Sequence, residues 1–216
     1  MQQFKIRASA AGQIMGAKGI GKTGETFAEM WLKSQLYNRK VEIRSKYLAK
    51  GNLVESESIF FVGQKLNLNC LKNEKFFEDE YFTGTPDIIT DDLIIDVKNS
   101  WDWSTFPLNS SEIPNKDYIF QLQIYMHLTG RMKAKLIYIL SDTPENLIEK
   151  EAWYKCKELG MEELDYDIYE NCRKNMTYSD VPDHLKFRVF DLNYDFVTID
   201  LLKKRVEDCR IYLDKF

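Results

Sequence analysis

Two aspartates nine positions apart, Asp87 and Asp96, and a lysine two residues after the second, Lys98, are the residues of this chain whose types and spacing could do chemistry. Asp96 closes the apolar run Leu93-Ile94-Ile95, which reads as a strand. Alternate side chains of a strand share a face, so Asp96 and Lys98 point together and Val97 points away. Asp91-Asp92 supplies a tight turn, and a hairpin through it brings Asp87, just after Pro86, beside Asp96. Two carboxylates and an ammonium then converge on one small volume. Hard oxygen ligands of this kind bind Mg²⁺ or Mn²⁺, which polarises a phosphoryl group and lowers the pKa of a bound water. Lys98 can orient or deprotonate that water, or neutralise charge building on phosphorus. For an isolated D-x-K, a hairpin with a solvated lysine is the commoner explanation, so the pair needs support from elsewhere in the chain.

The elements that must position these residues are legible as a pattern. Ile6-Arg7-Ala8-Ser9 opens a small-residue stretch through Met15, with Ser9 as a helix N-cap. A Gly-rich loop covers Gly16 to Gly24, and Phe27, Met30, Trp31 and Gln35 mark a helix to about Tyr37. A second helix covers about Arg44 to Gln64, with Tyr47, Leu48, Val54, Ile59 and Val62 toward the core and Gly51 as a weak point. Phe76-Phe77, Tyr81-Phe82, Ile88-Ile89 and Leu93-Ile94-Ile95 read as successive strands, followed by an irregular loop from Asn99 to Ile113. Pro114 suits the first turn of another helix and Gly130 its stop. A strand at Lys133–Leu140, helices near Pro144–Leu159 and Glu162–Asn175, a strand at Phe187–Leu192 and a last helix from about Thr198 complete the pattern. Leu201, Leu202, Val206, Cys209 and Leu213 lie on one face of that last helix. This is an α/β order, a mixed central sheet flanked by helices. The 216 residues, without linker or repeat, form one domain, 1–216, with length enough for a sizeable core.

Pro86-Asp87 at this spacing before hydrophobic-Asp96-x-Lys98, within Gly84-Thr85-Pro86-Asp87 and Asp96-Val97-Lys98, resembles the PD-(D/E)xK nuclease superfamily. Gly51-Asn52-Leu53-Val54-Glu55 is similar to the G-x-x-x-E helix motif of its lambda exonuclease or YqaJ-type phage recombination branch. Gln121-Leu122-Gln123-Ile124-Tyr125 is similar to the downstream Q-x-x-x-Y helix motif, and Arg7-Ala8-Ser9 to the segment that receives a 5′-phosphate end. These motifs fall in the family's order between residue 7 and about 130. The resemblance implies a restriction-endonuclease-like core and a Mg²⁺-dependent deoxyribonuclease, with Mn²⁺ able to substitute. It implies metal ligation by Glu55, Asp87, Asp96 and the Val97 carbonyl, positioning of water by Lys98, and support or DNA contact from Gln121 and Tyr125. Arg7 and Ser9 would hold the terminal phosphate. The closest subclass degrades one strand of a linear duplex from its 5′ end. Its implied partners are double-stranded DNA with a free end, a single-strand annealing protein and two further copies of the chain in a ring-shaped homotrimer. A structure-selective or nicking endonuclease with the same core is the alternative within the superfamily.

Two positions depart from that branch or compete within it. Asp96 stands where lambda exonuclease-like enzymes often have Glu, and Glu57 lies two residues from Glu55. The two glutamates are about 200° apart on a helix, so one of them faces the site, and the Gly51 spacing selects Glu55.

Gly16-Ala17-Lys18-Gly19-Ile20-Gly21-Lys22-Thr23 satisfies G-x-x-x-x-G-K-S/T, the phosphate-binding loop of an NTPase. That loop sits between an apolar strand and a helix, and Ala10-Ala11-Gly12-Gln13-Ile14-Met15 makes a poor buried strand. A mobile basic loop placing Lys18 and Lys22 near DNA is the preferred reading. Trp101 and Trp103 follow Lys98 closely; one is assigned to the core, while Trp103 is a candidate for stacking on a base. His127 and His184 are isolated and read as structural, and Lys203-Lys204-Arg205 as a solvated helix face. Net charge −4 with pI near 5.4 leaves a nucleic-acid partner open without supporting it, because an acidic metal site and a basic DNA-facing surface can coexist. Cys70, Cys156, Cys172 and Cys209 contain no C-x-x-C pair, which argues for free thiols and against structural zinc. With no apolar run of about 20 residues and no signal-peptide core, a cytoplasmic protein without membrane contact is expected.

Overall fold

A computed structural model describes residues 3–42 and 45–216; Arg44, the expected start of the second helix, lies outside them. The strands are β1 (Ile6–Arg7), β2 (Phe77–Glu78), β3 (Phe82–Gly84), β4 (Ile88–Ile89), β5 (Leu93–Asn99), β6 (Lys133–Ile139) and β7 (Phe187–Asn193). The helices are α1 (Gly21–Tyr37), α2 (Lys46–Leu66), α3 (Lys116–Thr129), α4 (Glu145–Glu158), α5 (Tyr166–Met176) and α6 (Phe196–Leu213). The expected α/β class is present, but the strands divide into two mixed sheets, ordered β1-β3-β2 and β4-β5-β6-β7. The division falls where the chain passes Pro86, whose missing N–H cannot continue a ladder from β3 into β4. In the larger sheet β5 and β6 are parallel and joined through α3, while β4 and β7 pair antiparallel at the edges.

β5 decides which side chains meet which helix. Ile94 is fully buried with Leu122, Ile124 and Met126 of α3, whereas Ile95 is fully buried with Ile59 and Val62 of α2. The strand's period of two therefore turns Ile94, Asp96 and Lys98 toward α3, and Ile95, Val97 and Asn99 toward α2. Hydrogen bonds agree: Gln121 of α3 donates to Asp96, and Ser58 of α2 donates to Asn99 Oδ1. β6 repeats the pattern with Leu136 on the α3 side and Ile137 on the α2 side.

Several boundaries differ from the pattern reading for local reasons. A 3-10 helix already begins at Ala8 with Arg7 in the cap position, so Ser9 caps nothing. α1 starts at Gly21, inside the stretch assigned to a loop, because Gly19 and Gly21 adopt positive φ and finish the turn there. The buried stripe of α2 runs through Lys50, Val54, Ser58 and Val62 in steps of four, which leaves Tyr47 and Leu48 half exposed instead of in the core. Gly51 does not interrupt the helix. Asn115 caps α3 by accepting from the Asp117 N–H, so Pro114 precedes the helix; Gly130 stops it at φ 71° as expected. Asp165 and Asp195 cap α5 and α6 in the same way, placing those starts at Tyr166 and Phe196. On α6, Leu202, Val206 and Cys209 are buried but Leu201 is not. The four cysteines are free, three of them buried. Among the described residues no helix is long and apolar enough to cross a membrane.

Candidate active site

β4 pairs with β5 in the register Ile88↔Ile95 and Ile89↔Ile94; extending it by one step sets Asp87 opposite Asp96. This is the juxtaposition expected from the hairpin. The Val97 N–H donates to Asp87 Oδ2 at 2.8 Å. Lys98 Nζ lies 2.7 Å from Asp96 Oδ2, and Gln121 Nε2 donates to Asp96 Oδ1 at 3.1 Å and to Tyr125 Oη at 3.0 Å. Lys98 also approaches Gln121 Oε1 at 3.4 Å and stands 4.6 Å from the centre of the Tyr118 ring. Asp87, Asp96, Lys98, Gln121 and Tyr125 thus form one connected cluster. Gly84 allows its closure: a Cβ there would lie 2.7 Å from the Tyr125 ring, with Ala8 behind it.

The electrostatics of the cluster follow from burial of like charges. Asp87 has its pKa pushed up to about 7, by desolvation first and then by Asp96, against the opposing pull of Lys98 and of the Val97 N–H. Burial works against a charged Lys98, but Asp96 and then Asp87 outweigh it and hold its pKa above the ordinary lysine range. Burial, followed by Asp96, likewise raises Tyr125 and keeps its hydroxyl a neutral donor or acceptor. Asp96 Oδ2 is buried, and its partner there is the Lys98 ammonium at 2.7 Å. A buried carboxylate balanced by one ammonium, with a second carboxylate set opposite it across the β4–β5 pairing, is a donor set suited to a small hard cation such as Mg²⁺ or Mn²⁺.

Glu55 is not gathered into that cluster. It forms an ion pair with Lys72 at 2.5 Å, and among the described residues no three acidic, His or Cys side chains lie close enough to hold a metal between them. Glu55 does reach the field of the site, since it contributes to raising Asp87. Lys72 and Asn73 run beside the motif strand: Lys72 bridges to Ile88, Asn73 N–H donates to the Asp87 carbonyl, and Asn73 Nδ2 donates to the Pro86 carbonyl.

The N-terminal residues lie next to the same strands. β1 runs parallel to β3 with Arg7 opposite Thr83, one residue before Gly84, and both Arg7 and Ser9 are exposed. Lys18 and Lys22 are also exposed, Lys22 with Glu25 3.5 Å away. The NTPase reading of Gly16–Thr23 is overturned by topology. A 3-10 helix, Ala8–Ile14, precedes the loop where a strand is required, and β1 belongs to a different sheet from β5. Arg205, assigned to a solvated face, is mostly buried, pairing with Asp208 and reaching the Gly16 carbonyl. His127 is structural, held between Asp79 and Tyr194. Trp101 is buried with α4 and α5, whereas Trp103 is 62% exposed five residues beyond Lys98.

Three residues here were not singled out from the sequence. Tyr118 could have been found, because it lies on the α3 stripe that carries Gln121 and Tyr125. Lys72 carries no local signal. Lys50, fully buried beside Gly51, donates to the carbonyls of Ser100, Trp101 and Ser141 at 2.8, 3.0 and 2.7 Å and so ties α2 to the ends of β5 and β6.

No family model and no curated protein matches the chain. Solved structures do. It is similar to a phage-related exonuclease from Haemophilus somnus 129PT, with TM-score 0.83 and 26% identity over 99% of this chain and 95% of that one. It is also similar to an alkaline exonuclease from Laribacter hongkongensis, with TM-score 0.69 and 15% identity over 98% and 88%. That enzyme in complex with dAMP gives TM-score 0.66 and 14% identity over 98% and 87%.

Proposed function

We propose that this chain, an exonuclease of the lambda type within the PD-(D/E)xK superfamily, degrades linear duplex DNA from its 5′ ends using Mg²⁺, with Mn²⁺ as a substitute. The exonuclease class rests on the fold it shares over nearly its whole length with the phage-related exonuclease. The observation that carries the chemistry is Asp87 set opposite Asp96, with Lys98 and Gln121 closing on the same carboxylate.

Asp87, Asp96, the Val97 carbonyl and, once released from Lys72, Glu55 are the oxygen ligands available to the cation. A bound divalent cation supplies Lewis-acid polarisation of the phosphoryl group and a water of lowered pKa. Lys98, kept protonated by its two aspartates, acts as a cation that orients the attacking water and offsets charge at phosphorus. A role as base would first require removal of a proton that Asp96 and Asp87 hold in place. Gln121 keeps Asp96 and Lys98 in register, and Tyr125 fixes Gln121 from the next turn. Trp103 offers an exposed ring on which a base can stack, while Lys18 and Lys22 offer charge to the backbone. A homotrimer and a single-strand annealing partner are implied by the lambda-type resemblance.

The deciding assay uses end-labelled linear and covalently closed circular duplex. Linear DNA is expected to be digested with Mg²⁺ or Mn²⁺, independently of ATP, while EDTA stops the reaction and closed circles persist. Cleavage of closed circles would favour the endonuclease reading instead. Arg7→Ala is expected to remove a preference for 5′-phosphorylated over 5′-hydroxyl ends and to raise KM for phosphorylated ends roughly tenfold, the effect of losing one charge-assisted contact. An unchanged ratio of the two substrates would exclude Arg7 from end binding.

A further inference from the structure

We propose that Lys72 is a built-in counter-ion of the metal site: it holds Glu55 while no cation is bound, yields it to an entering divalent cation, and then contacts a phosphate of the substrate. The inference rests on the reading of Glu55 as a metal ligand. Three observations lead to it. Glu55 is engaged by Lys72 at 2.5 Å and stands outside the Asp87–Asp96 cluster, so a cation held there competes with that ammonium for its carboxylate. The Lys72 main chain is pinned to the motif strand through Ile88, and its neighbour Asn73 is bonded to both Pro86 and Asp87, yet its side chain is 47% exposed. A fixed base with a half-exposed tip held by a single carboxylate is the arrangement of a side chain that exchanges partners.

Charge balance points the same way. With all groups ionised, Glu55, Asp87 and Asp96 against Lys72 and Lys98 leave the site with one net negative charge. One divalent cation changes that to one positive, and a phosphodiester group cancels it. Lys72 is the cation of the set that is not enclosed with Asp96, so it is the one free to meet that phosphate. The step is an exchange of ion pairs, with no covalent bond made or broken.

The test uses the full chain and Mn²⁺, with binding followed by electron paramagnetic resonance or calorimetry in the absence of DNA. Lys72→Gln is expected to bind Mn²⁺ about two- to fivefold more tightly, the effect of removing one partly exposed competing ion pair, while Lys72→Arg binds as wild type. With saturating Mn²⁺, Lys72→Gln is expected to raise KM for linear duplex severalfold at unchanged kcat, as loss of a uniform binding contact does. Its salt dependence should be shallower by about one phosphate contact. Mn²⁺ affinity that is unchanged or weaker in Lys72→Gln overturns the proposal, as does an unchanged KM. Glu55→Gln separates the two levels: if it leaves Mn²⁺ binding intact, the assignment of Glu55 as a ligand fails, and the role of Lys72 fails with it.

Discussion

Asp96→Asn is expected to lower the rate of DNA cleavage roughly a thousandfold or more, with the protein still folded. Asn is nearly isosteric, and its amide oxygen can still accept from Gln121, whose contact with Asp96 Oδ1 is 3.1 Å. What disappears is the charge. Lys98 loses the nearer of the two carboxylates that keep it protonated, and Asp87 loses the neighbour that helps push its pKa up to about 7. The cation loses a ligand whose Oδ2 is buried beside the Lys98 ammonium. Lys98→Ala attacks the same cluster from the other side. It leaves two opposed aspartates, Asp96 fully buried and Asp87 partly so, without the ammonium that balances them, and a loss of activity of similar size is expected. Single-turnover digestion of end-labelled duplex at saturating Mg²⁺ measures both effects, and a thermal melt of each variant checks the fold. Substantial cleavage by either variant would remove that residue from the chemistry.

The second large effect falls on stability. Lys50→Ala is expected to destabilise the protein by about 3 kcal/mol in a denaturant titration, the usual scale for removing one member of a buried, fully bonded polar set. Three carbonyls, from Ser100, Trp101 and Ser141, would lose their donor at once. Lys50→Met separates packing from bonding, because it fills the space without supplying a donor, and most of the loss should persist. Burial is the largest influence on this amine and lowers its pKa to about 8, partly countered by Asp102 and Asp142, so it remains an ammonium at neutral pH. A basic group whose folded pKa lies below its unfolded value of 10.5 gives up its proton more readily when folded. Its contribution to stability therefore rises as pH increases from about 8 to 10.5. Wild type should show that rise relative to Lys50→Met when denaturation is compared at pH 7 and pH 10. Parallel curves would mean that Lys50 does not titrate in the folded protein.

Local sequence was informative wherever the contact was local. The pairing of Asp87 with Asp96 spans one short hairpin, so turn chemistry and the period of two were enough to place it. Gln121 and Tyr125 are one helical turn apart, and their hydrogen bond follows from that spacing. Glu55 could be assigned to its helix but not to its partner, because Lys72 comes from a separate segment with no periodicity of its own. Lys50 carries no local signal in the sequence, since its three acceptors lie some 50 and 91 positions away. Trp101 and Trp103 share type and strand-like spacing, and it is packing by α4 and α5 that buries Trp101 while Trp103 stays exposed. Gly16–Thr23 matched a phosphate loop letter for letter and was excluded by the 3-10 helix before it.

The sequence by itself therefore determined the α/β class, the carboxylate pair with its lysine, and the helix face that supports them, because each depends on backbone periodicity over a few residues. Only the tertiary structure decided that the strands divide into two sheets at Pro86 and that Lys50 anchors the strand ends. It also decided that Glu55 rests on Lys72 outside the aspartate cluster. Those outcomes depend on long-range burial and charge compensation, where the free energy of a side chain is set by groups brought to it from distant parts of the chain.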